Sequence, residues 1–270
     1  MGRVRVAHLA LVLFVCSPAG AAVAAAQQPG QPSARSGNEP YRETQRGPAH
    51  SVIEVSIADP GFGTTVVLLK AVYDIATERG FAYAFAVPAP GAAASPGGGQ
   101  GAALLKVFMT KDRETPLRTL LGADYSEQAQ GQFDREGWTS ISQLARMFEA
   151  GSRGGLVNDP LSDLIGVFSL RADGDPNFRV SKTGPDYFVE SRGPAGWSKP
   201  VRLVAMTDAE RAKAAKSGIN ASSGLRMTEG SADQQFDILR IEEPLPGSGR
   251  AVILHVVYSW FGPNLLYKLP

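Results

Sequence analysis

The sequence predicts an α+β fold, with a mainly antiparallel sheet and two or three packing helices. Three observations indicate this class. Several segments, such as residues 53–57, alternate apolar and polar side chains with the period of a half-buried strand. Others, such as residues 64–79, carry an apolar side that suits a helix packed on a sheet, and clusters of Gly, Pro and Asp separate the segments. Two smaller lobes divided near residues 111–155 are the alternative arrangement.

Residues 1–26 have the three parts of a secretory signal peptide. Arg3 and Arg5 make a basic start without an acid, residues 9–15 are apolar, and small side chains over residues 21–26 precede the expected cleavage site. The apolar run is too short to cross a membrane, which takes about 20 apolar residues. We therefore expect export, a periplasmic or secreted location, and no transmembrane span after cleavage.

Cleavage would remove the single cysteine, Cys16, together with two arginines. The remaining chain would then have no disulfide, no thiol nucleophile and no zinc–thiolate site. The whole sequence carries 27 Lys and Arg against 26 Asp and Glu, and this near-neutral balance gives no electrostatic case for a nucleic-acid partner or for an anionic membrane surface. Heavy use of Ala, Gly and Pro, with Arg more frequent than Lys, is typical of a GC-rich bacterial genome.

Residues 27–50 are polar and contain Pro, Gly and Ser with almost no apolar side chains. Such a segment buries too little surface to offset the entropy that it would lose on folding. We expect it to be a disordered tether, and we expect the folded domain to span residues 51–270.

The first predicted element is a strand over residues 51–57, followed by a turn that contains Gly and Pro. Thr64 or Thr65 is expected to cap a helix that ends near Arg79. Gly80 suits the left-handed position just beyond a helix. The order strand, turn, helix therefore opens the predicted domain.

The next predicted strand, residues 81–87, has large side chains on one face and alanines on the other, so that a helix can approach closely. A loop rich in Pro, Gly and Ala over residues 88–101 leads to a strand over residues 103–110. Residues 111–155 are predicted to be helical, with an amphipathic stripe across residues 139–150.

Strand patterns return after residue 156, interrupted by one short helix. Thr207 and Glu210 have the spacing of a capping box that begins this helix. The predicted strands of this half cover residues 164–170, 187–190, 201–206, 236–242 and 251–260.

The turn before the first helix is a candidate anion-binding site. Gly61, Gly63, Thr64 and Thr65 lie where backbone N–H groups and the helix dipole favour a negative charge. However, the lysine of a P-loop is absent, and Val66 stands where the dinucleotide fingerprint needs its third glycine. A plain strand-to-helix turn is the alternative.

His255 is the second candidate site residue. It lies in an apolar strand and by alternation shares a face with Ile253 and Val257. A histidine in the core is the alternative to a catalytic one, because no Gly-x-Ser-x-Gly elbow supplies a partner serine.

The sequence predicts neither a cofactor nor a metal site. The segment from Asp173 through Asp175 to Asn177 places oxygen ligands at alternating positions, as calcium loops do. The rest of the twelve-residue calcium pattern, including its final glutamate, is missing, so a turn is expected here. With three histidines in the whole chain, a histidine-rich transition-metal site is not expected either.

Two functions are compatible with these features. The first is a non-catalytic exported protein that binds an envelope protein or a small apolar ligand. It is suggested by the aromatic strand face of Phe81, Tyr83 and Phe85 and by the lack of a catalytic motif. The alternative is an exported hydrolase that uses His255 or a carboxylate. The sequence favours the non-catalytic function.

Overall fold

The computed structural model describes residues 40–57, 62–89, 101–152, 160–216, 218–229, 235–259 and 262–270. Within these residues the chain is mostly β, with 45% strand and 28% helix, and it forms a closed eight-stranded antiparallel barrel, a separate sheet and five α-helices. The predicted α+β fold, one mainly antiparallel sheet with two or three helices, is therefore wrong. The predicted signal peptide lies outside the described residues.

The separate sheet comes from the first half of the chain. Its strands are β1 (Tyr41–Arg46), β2 (His50–Ile57), β3 (Tyr83–Pro88), β4 (Gly101–Thr110) and β5 (Thr139–Ser140). They lie in the order β1-β2-β4-β3-β5, and every neighbouring pair is antiparallel. The strands predicted over residues 51–57 and 103–110 are both members of this sheet.

Strand β1 lies inside residues 27–50, so the prediction of a tether is wrong from Tyr41 onward. The strand pairs with β2 along its whole length. Its buried Tyr41 donates a hydrogen bond of 2.8 Å to Asp74, and its buried Glu43 accepts one of 2.6 Å from Ser51. A segment this polar can fold because its polar groups find partners in the neighbouring strand and helix. Residues 27–39 of the predicted tether lie outside the described residues.

Helices cover both faces of this sheet. α1 (Phe62–Glu78) and α4 (Ile141–Ser152) pack between the sheet and the barrel. α2 (Leu117–Leu121) and α3 (Glu127–Glu136) pack on the opposite face, where Phe85 and Phe108 are buried. The alanine face of β3 points to α1, as the spacing of residues 81–87 predicts, and Ala84 is buried there.

The second half of the chain forms the barrel, which winds up and down in chain order. Its strands are β6 (Gly166–Ser169), β7 (Phe178–Thr183), β8 (Asp186–Gly193), β10 (Val201–Ala205), β11 (Ala221–Met227), β12 (Phe236–Leu245), β13 (Arg250–Ser259) and β14 (Gly262–Lys268). The two-residue strand β9 (Gly196–Trp197) extends the hairpin of β8, and α5 (Asp208–Ala215) connects β10 to β11. β8 pairs directly with β10, and β14 pairs with β6, which closes the barrel.

The sheet and the barrel share one hydrophobic core. Val66, Val72 and Ile75 of α1 are buried in a single cluster with side chains from both, including Ile53 of β2 and Leu254 of β13. The outer side of β12 and β13 is therefore covered by helices. Within the part of the chain that the structure describes, no helix is long and apolar enough to cross a membrane.

Candidate functional site

The interior of the barrel is filled by its own side chains. Eight strands enclose a space just wide enough for side chains or for one small ligand. Here, apolar residues from all eight strands and from the preceding segment form one buried cluster: Leu164, Phe168, Val180, Tyr187, Val189, Leu203, Leu225, Met227, Ile238, Val257 and Leu266. The described part of the barrel is thus a packed scaffold.

One polar network lies among these interior side chains, centred on Asp163. This residue belongs to a single 3-10 turn, Ser162–Leu164, which precedes β6 and inserts the fully buried Leu164 into the barrel cluster. The Asp163 carboxylate accepts a hydrogen bond of 3.1 Å from Arg240 Nε and lies 3.2 Å from His255 Nε2. Lys268 Nζ lies 3.6 Å from the same carboxylate and donates a 2.7 Å hydrogen bond to the Asp163 carbonyl oxygen.

The network ties the turn to three adjacent strands, because Arg240 is in β12, His255 in β13 and Lys268 in β14. Arg240 is almost fully buried and has further partners. It donates a 2.8 Å hydrogen bond to Ser222 Oγ and also pairs with the carboxylate of Glu242. Opposite charges are therefore matched throughout this end of the barrel.

The pKa of Asp163 is shifted by competing effects. Burial by itself raises it, but the hydrogen bond and charge of His255, the charge of Lys268 and the hydrogen bond of Arg240 together outweigh burial. The pKa of this carboxyl group consequently lies well below the ordinary value for aspartate. Asp163 is an ionised anchor for its neighbours over the whole physiological range.

His255 lies on the inner face of the barrel with Val257, which is the face that its strand alternation predicts. Its imidazole is covered by Phe168, with ring centroids 5.3 Å apart. A histidine beside a carboxylate is the arrangement that orients a catalytic base. Here, however, the carboxylate of Asp163 is shared with an arginine and a lysine, and the histidine is 8% exposed. This geometry suits a structural histidine.

Three of the four residues of the predicted anion site, Gly63, Thr64 and Thr65, are not placed as a free turn. α1 begins at Phe62, whose side chain packs on the shared core, so Gly63, Thr64 and Thr65 lie inside the helix and do not precede it. A Cβ atom on Gly63 would lie 3.7 Å from Glu243 Oε2, so a carboxylate of the protein already faces this helix start. Gly61 lies outside the described residues.

The segment from Asp173 to Asn177 is the turn between β6 and β7, as expected. Asp173 is 3.3 Å from Arg171 and 3.5 Å from Arg113, so guanidinium groups lie beside the carboxylate. The Asn177 side-chain oxygen accepts a 2.8 Å hydrogen bond from the backbone of Leu170. Among the described residues, no group of three or more His, Cys, Asp or Glu side chains could hold a metal ion.

The sequence interpretation missed a surface on the outside of the barrel. Along β7, β8 and β10, side chains alternate with the interior residues Val180, Val189 and Leu203 and so point outward. We call this surface the basic wall, and it consists of Arg179, Asp186, Phe188, Glu190, Arg192, Trp197 and Arg202.

Arginines and aromatic rings dominate the basic wall. Trp197 lies under two guanidinium groups, with 4.9 Å from its ring centroid to Arg179 Cζ and 6.0 Å to Arg192 Cζ. Arg179 also binds Glu190 through two hydrogen bonds of 2.6 and 2.7 Å. α1 and α4 pack on the barrel through the core that it shares with the separate sheet, and no residue of β7 or β8 belongs to that core. No helix that the structure describes therefore covers the wall.

Comparison with known protein families, with curated proteins and with solved structures found no match. What the chain does is therefore inferred from its own residues.

Proposed function

We propose that this chain is an exported, non-catalytic protein of the bacterial envelope that binds a partner through the basic wall. The observation that carries the proposal is the wall itself, which no described helix covers and where two arginines lie over Trp197. Binding surfaces are commonly enriched in Trp and Arg, because both offer a large apolar area together with hydrogen-bond donors. The wall therefore has the composition of a contact surface.

The interior supports the same proposal by offering a ligand little room. Its buried cluster occupies the space in which an eight-stranded barrel would hold a small molecule. A partner on the outside is thus favoured over the small apolar ligand that the sequence also suggested.

The alternative, a hydrolase that uses His255, rests on the 3.2 Å contact with Asp163. It is less well supported, because Arg240 and Lys268 also hold this carboxylate and Phe168 covers the imidazole. Purified protein should be assayed on ester, amide and glycoside substrates beside His255→Gln. A hydrolysis that the wild type performs and the variant does not would replace the binding function.

The binding function is tested by fractionating cells that express the full chain. We expect the wild type to remain with the envelope after osmotic release, and the double variant Arg192→Glu with Trp197→Ala to become soluble. Arg42→Glu is the matched control, because Arg42 is an exposed arginine of β1, far from the wall in the fold. Equal retention of the double variant and the wild type would overturn the proposal.

A further inference from the structure

Building on that function, we infer that the partner of the basic wall is a membrane surface that carries anionic phospholipid headgroups. The reason lies first in the charge of the segment that forms the wall. Residues 178–203 hold two acidic side chains, Asp186 and Glu190, in a chain whose overall net charge is +1. Against these they hold five basic side chains: Arg179, Lys182, Arg192, Lys199 and Arg202.

Carboxylates of the wall neutralise two of these basic side chains. Arg179 pairs with Glu190 at 2.6 Å, and Arg202 pairs with Asp186 at 2.7 Å. Among the described residues, Arg192 has no carboxylate partner, and its guanidinium is free to bind an anion on the side away from Trp197. Lys182 Nζ lies 5.0 Å from the ring centroid of Tyr187, a residue of the interior cluster, so Lys182 does not add to the wall. The unmatched charge of the wall therefore lies on the hairpin of β8 and β9.

Lys199 adds a second unmatched charge next to this hairpin. It follows β9, is exposed, and has no carboxylate partner within the residues that the structure describes. The hairpin tip between Arg192 and Trp197 consists of exposed residues 193–196. Two exposed cations, Arg192 and Lys199, thus lie close in sequence to the half-exposed indole of Trp197.

The shape of this region favours a surface over a chain as its partner. The outside of a barrel is convex, and the hairpin stands out from it. Two clefts in the described part of the structure lie away from the wall: one beside α5, of about 370 Å³, and one at the turn between β6 and β7, of about 330 Å³. A polymer held along its length would need a groove, whereas a headgroup layer meets a projecting hairpin directly.

The chemistry of the three side chains fits the headgroup region. Tryptophan favours the boundary between headgroups and acyl chains, because its ring is apolar and its N–H is polar. Arginine binds phosphate through two parallel hydrogen bonds, and lysine adds a point charge. Each basic side chain near an anionic leaflet strengthens binding by about fivefold at low salt.

The test uses the full chain, purified by the same procedure for the wild type and each variant, and sedimented with lipid vesicles. We expect binding to vesicles of phosphatidylcholine with phosphatidylglycerol, little binding to phosphatidylcholine alone, and release by high salt. Arg192→Glu should weaken binding to the anionic vesicles by about fivefold or more, whereas Arg42→Glu makes the same charge change elsewhere and should not. Trp197→Ala should also weaken binding while leaving the thermal unfolding midpoint close to that of the wild type.

Two results would overturn the lipid assignment: no binding to anionic vesicles, or equal weakening by Arg192→Glu and Arg42→Glu. A soluble polyanion, dextran sulfate on beads, serves as the comparison. Retention on these beads without vesicle binding would also contradict it and would indicate an acidic polymer. If the wall variants still lose envelope retention in cells, the proposed function stands with a different partner. If they do not, both proposals fail.

Discussion

Removing the charge of Asp163 should destabilise the barrel strongly, because three strands meet at this carboxylate. The substitution Asp163→Asn keeps the shape of the side chain but leaves Arg240 and Lys268 without their anion. Breaking a buried ion pair costs about 3–5 kcal/mol. The Asp163 side chain is 23% exposed, and Arg240 keeps Glu242, so we expect a loss of about 2–3 kcal/mol at neutral pH.

The loss is measured by urea unfolding followed by circular dichroism. A loss of this size should lower the thermal midpoint by roughly 5–10 °C for a domain of about 200 residues. Asp186→Asn is the control, because its ion pair with Arg202 is exposed and exposed pairs contribute about 1 kcal/mol or less. If the two variants lose the same stability, the network is not the structural anchor that we describe.

The pH dependence provides a second, independent measurement on the same variant. The pKa of Asp163 is lower in the folded chain than in the unfolded one, so its ionised form stabilises the fold above the ordinary aspartate pKa. This contribution is lost as the pH falls below about 4, toward the folded-state pKa. Asparagine does not titrate, so the stability difference between the wild type and Asp163→Asn should shrink in that range. A difference that stays constant down to acid pH would refute the assignment.

Three further predictions concern the first sheet and α5. The pKa of His50 should lie below the ordinary histidine value, because burial disfavours the charged imidazole and Lys106 repels it. An NMR titration, with His50→Gln to assign the signal, measures this pKa, and a midpoint at the ordinary value would contradict the prediction. Arg79→Met should cost about 2–3 kcal/mol in urea unfolding, because its guanidinium donates to Ser51 Oγ and to carbonyl oxygens of the β1–β2 turn. Thr207→Ala should cost about 1 kcal/mol by removing the cap of α5, whereas Thr207→Ser should be nearly neutral.

The features that the sequence predicted well depend on neighbours in the chain. The end of α1 is one: Gly80 has φ +68°, and the next residue donates a 2.9 Å hydrogen bond to the carbonyl oxygen of Ala76. The capping box of Thr207 and Glu210 is another, and both of its hydrogen bonds are present. Each of these features depends on residues that lie within six positions of one another, so the local sequence is enough to predict it.

The barrel was missed because its closing strands carry weak patterns. β11 contains Ser222 and Ser223 and bends at a bulge, and β14 begins with Gly, Pro and Asn. The inner positions of these strands hold polar residues such as Ser223 and Asn264, which breaks the apolar alternation. Without these strands, too few strands are predicted to close a barrel, so the sequence predicted an open sheet. The pairing that closes the barrel joins Tyr267 to Ser169, which no local pattern reports.

The polar network shows the same limit for a site. The face of His255 followed from alternation, but its carboxylate partner lies 92 residues earlier, in a turn with no catalytic motif. The basic wall had a usable signal, the excess of basic residues over 178–203, but β7 was not predicted and so the shared face was not visible. Charged residues on three strands can be recognised as one surface only when the order of those strands in the sheet is known.

Closure of the barrel changes what each face of its strands can do. In an open sheet, His255 would lie on a face that a substrate could reach, and a catalytic role would be reasonable. In the closed barrel that face is the interior, where Asp163 must neutralise the charges of Arg240 and Lys268, since a buried charge without a partner is costly. The same closure turns every alternate residue outward, and between β7 and β10 no described helix covers them. The polar groups inside the described barrel therefore pair with one another, and the outward-facing groups of the basic wall are the ones on which the proposed binding function rests.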